Sequence, residues 1–237
     1  MMTFWKWAGV VTGVRDGDWP EKVERLPDAY EPNEINALLS AATTMNAKQK
    51  TASRLPPARI EEERLILQCF LFSGLRDGEL AHLTYDDIRL TKDSSVWNVQ
   101  PKPNWNWKPK TVESIRSVPV IRRVTEKLVE RKRAKGAAAS DLIFPSEVGK
   151  PDGHLLRIVK RVAKRAGVVG RVDNHKFRAT AITLWLRAGA TVPDVMGWVG
   201  HKDAKTILRY AKRVTAESRE TQRLVAAPFT EYVTIGD

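Results

Sequence analysis

Apolar residues recur at helical spacing along most of this chain and at every second position in one short central stretch. After Pro32, the residues Ile35, Leu38, Leu39 and Ala42 mark one face of a helix, with the proline at its first turn. A longer helix, amphipathic and then buried, spans Ile60 to Phe72, and Gly74 ends it. Gly78 to Thr84 reads as a short helix. The period then changes. Ile88-Arg89-Leu90, Ser95-Val96-Trp97-Asn98-Val99 and Ile115-Arg116-Ser117-Val118-Pro119-Val120 alternate like strands and predict a small antiparallel sheet. A Pro-, Trp- and Lys-rich loop from Pro101 to Thr111 joins the second strand to the third. Helical spacing returns over Ile121–Lys135, Gly153–Ala166, His175–Ala188, Val192–Val199 and Ala204–Ala211, with a last amphipathic stretch from Ala216 to Ala226. The expected fold is therefore mainly α, with a three-stranded antiparallel sheet at one edge.

The two ends read differently. Phe4 to Ala8 reads as the close of a helix, and Asp16-Gly17-Asp18-Trp19-Pro20 is turn chemistry. Trp5, Trp7 and Trp19 would be costly to expose on a short tail, so residues 1–28 are expected to pack on the main domain or against a partner domain. Residues 227–237 read as a C-terminal tail.

With 237 residues and 42% hydrophobic content, the chain can fill one large core or two small ones. No run approaches the roughly 18 consecutive apolar residues of a membrane span, and the first residues do not resemble a secretory signal. The lone Cys69 lies in an apolar run and cannot form an internal disulfide, which fits a reducing, cytosolic setting. Charge adds more. The net charge is +12, but residues 1–100 carry 12 Lys and Arg against 15 Asp and Glu, whereas residues 101–237 carry 28 against 13. Such one-sided basicity suits a polyanionic partner, since each phosphate contact releases counterions. By itself it fits a merely soluble basic surface nearly as well.

The candidate chemistry arrives in a fixed order. Arg76 lies in Ser73-Gly74-Leu75-Arg76-Asp77-Gly78-Glu79-Leu80, at the end of an apolar helix. Its planar fork suits bidentate phosphate binding, and Glu79, three residues on, is placed to brace it. An isolated pair of this kind is more often a surface ion pair. Lys110 sits late in the long loop, before Thr111 and the Arg116-Ser117-Val118-Pro119 strand. A lysine there can donate a proton to a leaving oxygen, and Lys102 and Lys108 are rival candidates. His175 and Arg178 share one face at a helix start, capped by Asp173 or Asn174. His201 follows Gly200, and Tyr210 comes nine residues later. A phenol with a pKa of about 10 is a weak nucleophile unless nearby cations stabilise charge on its target. Spacing among His154, His175 and His201 does not suit a metal site.

Taken together, Arg76, Lys110, His175, Arg178, His201 and Tyr210 resemble the catalytic set of the tyrosine recombinase, or phage integrase, family. Ser73 through Leu83 is similar to that family's first arginine box. His175 through Gly189, then Val199-Gly200-His201 and Thr206 through Tyr210, are similar to its second. The resemblance covers about residues 29–226, the expected catalytic domain. One departure is Lys176, where family members usually carry Asp or Glu. Another is the usual N-terminal DNA clamp, of which residues 1–28 are at most a remnant.

The resemblance implies the catalytic-domain fold of DNA breaking and rejoining enzymes, and site-specific DNA recombination or integration. Tyr210 attacks a scissile phosphate and forms a 3′-phosphotyrosine. Arg76 and Arg178 bind the non-bridging oxygens, and His201 adds a hydrogen bond. Lys110 is the general acid, and His175 the general base or orienting group. Neither metal, ATP nor any other cofactor is implied. The implied partners are a double-stranded DNA attachment site, further copies of the chain in a tetramer on DNA, and accessory DNA-bending proteins of a host or phage, with no membrane. A bacterial cytosolic setting follows. The alternatives are a type IB topoisomerase-like DNA relaxing enzyme and a non-catalytic DNA-binding regulator derived from an integrase.

Overall fold

The structure is a computed structural model and describes residues 28–42, 57–201 and 203–217. Most of the first 28 residues, most of the amphipathic stretch from Ala216 to Ala226, and residues 227–237 lie outside these. The described helices are α1 (Pro32–Ala41), α2 (Pro57–Ser73), α3 (Asp77–Ala81), α4 (Arg122–Lys135), α5 (Leu155–Arg165), α6 (Asn174–Arg187), α7 (Val192–Val199) and α8 (Ala204–Glu217).

Helix α2 is the hub. Leu65, Ile66, Leu67, Cys69, Phe70 and Leu71 are all buried, which takes in more than one face. This follows from its neighbours, for α1, α4, α5 and α6 all pack on it. Burying each such large apolar side chain contributes roughly 1.5–3 kcal/mol. Against it lies α6, in which Lys176 to Thr183 are buried without a break.

The sheet has the predicted composition. Strands β1 (Ile88–Leu90), β2 (Ser95–Val99) and β3 (Arg116–Pro119) pair antiparallel in that order. Trp97 lies opposite Ile88 on one side and Val118 on the other. Its ring is fully buried, and its indole N–H donates to Thr125 Oγ1 at 2.9 Å, clasping α4 to the sheet. The third strand starts one residue later than its alternation predicts, because a 3₁₀ turn at Val112–Ser114 leads into it.

Two other boundaries moved. Helix α3 stops at Ala81, since Thr84 bridges to Leu142 and takes Asp87 as its partner through N–H and Oγ1. Helix α8 continues past Ala211 to Glu217. The long loop folds back on itself and on α3. Lys102 and Trp107 pair as a bridge, and the Trp107 ring stacks on His82 at 4.6 Å.

Candidate active site

The end of α2, the start of α3, the turn at Val112–Ser114, the start of β3, helix α6 and the end of α7 meet at one place. Two glycines make the meeting possible. Gly74 ends α2 with φ +58°, and a Cβ there would sit 3.1 Å from the Cβ of Ala181 on α6. Gly200 caps α7 with φ +64°, and a Cβ there would sit 2.5 Å from the Glu113 carbonyl oxygen. Any side chain at Gly200 would push the turn that precedes β3 away from the end of α7.

Arg178 is 5% exposed. Its Nη1 donates to the Gly74 carbonyl at 2.8 Å and its Nη2 to the Val199 carbonyl, so it ties the ends of α2 and α7 together. Its Nε is buried and has no hydrogen-bond partner among the described residues. Arg76 lies two residues beyond Gly74, at the N-cap of α3. Its Nη1 donates to Glu79 Oε1 at 2.8 Å, and its backbone N–H donates to Glu79 Oε2 at 2.8 Å. The predicted bracing by Glu79 is therefore present. Arg76 also approaches Ser114 Oγ at 3.4 Å, and its side chain remains 34% exposed.

Glu79 is buried and holds a second guanidinium, that of Arg116 on β3. Burial alone would raise its carboxyl pKa, but hydrogen bonds and charge from Arg116 and Arg76 outweigh it and hold the pKa at about 2. Arg116 was not singled out as a site residue from the sequence.

One carboxylate thus pairs with two guanidinium groups beside a third, that of Arg178, and the excess positive charge is felt nearby. Burial, then the charges of Arg76 and Arg116, lower Arg178 to about 9. Burial, then the charges of Arg178, Arg76 and Arg116, lower His201 to about 4. Tyr210 is half-buried on α8, beside the small core formed by Ile182, Val195, Val199 and Ile207. Burial raises its phenol pKa, while Arg178 and then Arg209 pull it back. Arg76, Arg178, His201 and the supporting Glu79 thereby gather at one place, and Tyr210 is linked to it through the charge of Arg178.

His175 and Lys110 are not drawn into this cluster. His175 is exposed on the first turn of α6, behind the Asp173 cap, whose carboxylate accepts from the Lys176 N–H at 2.9 Å. Asn174 donates to the Leu75 carbonyl at 2.9 Å, fixing that turn beside Arg76. Lys110 is exposed just ahead of the Val112–Ser114 turn. Of its rivals, Lys102 is committed to the fold, with Nζ 2.6 Å from Asp87 Oδ2 and 2.9 Å from Thr84 Oγ1. Lys176, the departure from the family pattern, is buried and compensated. Its Nζ lies 3.3 Å from Asp28, 3.5 Å from Glu34 and 4.4 Å from the centre of the Tyr30 ring. Among the described residues, no group of three His, Cys, Asp or Glu side chains is placed to hold a metal ion, and no helix is long and apolar enough to cross a membrane.

The depressed His201 pKa has a stability consequence. Between about 4 and its ordinary 6.5, the unfolded chain protonates this imidazole while the folded chain does not. The unfolded state then binds more protons, so this residue makes stability rise with pH across that window and level off above it. The variant His201→Gln is expected to lose that part of the slope. Urea unfolding at several pH values checks it, and a wild type-to-variant difference that stays constant through the window would contradict it.

The sequence profile of the phage integrase family matches residues 29–217. The chain is 25% identical over 207 residues to a tyrosine recombinase of Pseudothermotoga lettingae, covering 87% of this chain and 63% of that protein. It is 24% identical over 206 residues to the tyrosine recombinase XerA of Thermococcus kodakarensis, covering 85% and 67%. Among solved structures, the fold is shared with a crystal structure of XerA recombinase, at a TM-score of 0.60 and 19% identity over 96% of this chain and 72% of the other. It is likewise shared with XerH site-specific recombinase bound to a palindromic difH substrate in a post-cleavage complex, at 0.66 and 17% over 94% and 58%. The chain thus spans about 63% of the length of the first of these curated relatives. With the profile covering most of its length, the cationic cluster and Tyr210 both inside the match, and the same fold in the solved recombinases, this chain belongs to the phage integrase family of tyrosine recombinases.

Proposed function

We propose that this chain carries out site-specific DNA recombination or integration by transient covalent attachment to DNA. The observation that carries the proposal is the excess of positive charge where Arg76 and Arg116 share the Glu79 carboxylate beside buried Arg178, whose charge is also felt by the Tyr210 phenol. A phosphodiester supplies the missing negative charge. The buried Arg178 Nε has no acceptor among the described residues, and a phosphate oxygen would supply one. The exposed face of α5, with Arg157, Lys160 and Lys164, adds a basic surface suited to a DNA backbone. Binding of DNA by XerH supports the same partner here.

In the proposed reaction the Tyr210 oxygen attacks phosphorus and the bond from phosphorus to the 5′-oxygen breaks. A 3′-phosphotyrosine and a free 5′-hydroxyl result. Arg76 and Arg178 stabilise the charge on the non-bridging oxygens, and His201 adds a hydrogen bond to them. The phenol pKa is raised, so the proton must leave as the bond forms, and exposed His175 is the group assigned to accept or orient it. Lys110 returns a proton to the 5′-oxygen. The phosphotyrosine conserves the bond energy, so rejoining to another 5′-end needs neither ATP nor a metal. The catalytic unit is assigned to residues 29–226, acting as a tetramer on DNA, with accessory DNA-bending proteins as further partners.

The proposal is tested with a library of nicked duplexes whose short cleaved fragment diffuses away, in EDTA and without nucleotide. A protein–DNA complex that survives SDS is expected. DNA that is bound but never trapped would instead favour the DNA-binding regulator, and relaxation of supercoiled plasmid without strand exchange would favour the topoisomerase. The Lys110 role has its own test. A 5′-bridging phosphorothiolate leaves without protonation, so Lys110→Ala should be slow on ordinary DNA and selectively rescued on that substrate. Absence of rescue would move the role to Lys108.

A further inference from the structure

We infer that Arg116 is a positioning residue that holds the phosphate-binding cluster in register through Glu79 and the end of α7. This rests on the reading of the site given above. Arg116 begins β3 and shares a strand face with Val118, which is fully buried. A guanidinium on a core-facing strand position is costly unless nearly every donor is satisfied. Here the side chain is 4% exposed. Its Nε donates to the Trp198 carbonyl at 2.6 Å. Its Nη1 donates to Glu79 Oε1 and to the Ser114 carbonyl, both at 2.9 Å, and its Nη2 to Glu79 Oε2 at 2.9 Å. With its fork filled by Glu79, Arg116 is not a phosphate ligand.

Its bonds reach three groups of the site instead. Each Glu79 oxygen is shared between Arg116 and Arg76, so Arg116 fixes the carboxylate that fixes Arg76. It also balances the Glu79 charge, leaving the charge of Arg76 for an incoming anion. At its other end it holds the carbonyl of Trp198, one residue before the Val199 carbonyl that receives Arg178. The His201 turn follows directly, and a Cβ on Gly200 would lie 3.2 Å from Arg116 Cδ. A lysine keeps the charge but cannot span Glu79 and Trp198 together.

The test is single-turnover cleavage of a trapping duplex by wild type, Arg116→Lys, Glu79→Gln and the double variant, with DNA affinity measured on each. Wild type must form the covalent complex and Tyr210→Phe must not; if wild type forms none, the reading of the site itself fails. Given that, Arg116→Lys is expected to cleave on the order of 10–100-fold more slowly, as for a misplaced catalytic group, with affinity within a few-fold of wild type. The double variant is expected to lose less than the product of the two single effects, because both lesions share the Glu79 carboxylate while only that of Arg116 also frees Trp198. Should Arg116→Lys not fold, Arg116→Gln in the Glu79→Gln background, which removes both members of the buried Arg116–Glu79 ion pair, supplies the same comparison with Glu79→Gln alone. Cleavage by folded Arg116→Lys within threefold of wild type, or effects that multiply in the double variant, overturns the inference.

Discussion

Tyr210→Phe is expected to bind DNA as wild type does and to form no covalent complex. The substitution removes one oxygen and keeps the ring that packs beside Ile182, Val195, Val199 and Ile207, so α8 should hold its place. Burial raises the phenol pKa, with the Arg178 charge opposing it, and the reactive form therefore depends on that guanidinium. Without the hydroxyl no oxygen reaches phosphorus, and loss of trapping should be complete within detection. Native electrophoresis gives binding, and denaturing electrophoresis gives trapping. Covalent complexes persisting in Tyr210→Phe would remove Tyr210 from the role.

Arg178→Ala should carry the next largest loss, on the order of 10²–10³ in cleavage rate, as when a preorganised oxyanion donor is deleted. Arg178 is buried, bonds to carbonyls at the ends of both α2 and α7, and lies within electrostatic reach of Arg76, His201 and Tyr210. Arg178→Lys should recover little. An ammonium cannot reach both carbonyls and still face a phosphate, and at this depth it sheds its proton more readily. Thermal unfolding of each variant separates a folded, slow enzyme from a destabilised one. A folded Arg178→Ala that cleaves within a few-fold of wild type would contradict the assignment.

Much of this site is local in sequence and was legible there. The step from Gly74 to Arg76, the bracing of Arg76 by Glu79 three residues on, and the Asp173 cap of α6 all depend on neighbours within one helical turn. The strands were legible because alternation survives burial of one face. Arg116 was missed because its partners are distant: Glu79 lies 37 residues before it and Trp198 lies 82 residues after. A signal was present, since an arginine at a core-facing position of a strand requires a buried partner. Lys176 was recognised as a departure, but its compensation by Asp28, Glu34 and Tyr30 comes from a segment some 140 residues earlier, which no local pattern reports. Exposure of His175 and Lys110 is likewise a tertiary property.

The central claim is that this chain joins itself to DNA through Tyr210. It is tested most directly by trapping wild type on nicked duplex DNA, digesting the complex with protease, and sequencing the peptide that retains the oligonucleotide by mass spectrometry. The account predicts one modified peptide, with the DNA 3′-phosphate esterified to Tyr210 and a free 5′-hydroxyl on the released strand. Attachment at Tyr30, Tyr85 or Tyr232, a linkage through a 5′-phosphate, or no linkage on DNA that the chain binds would contradict it.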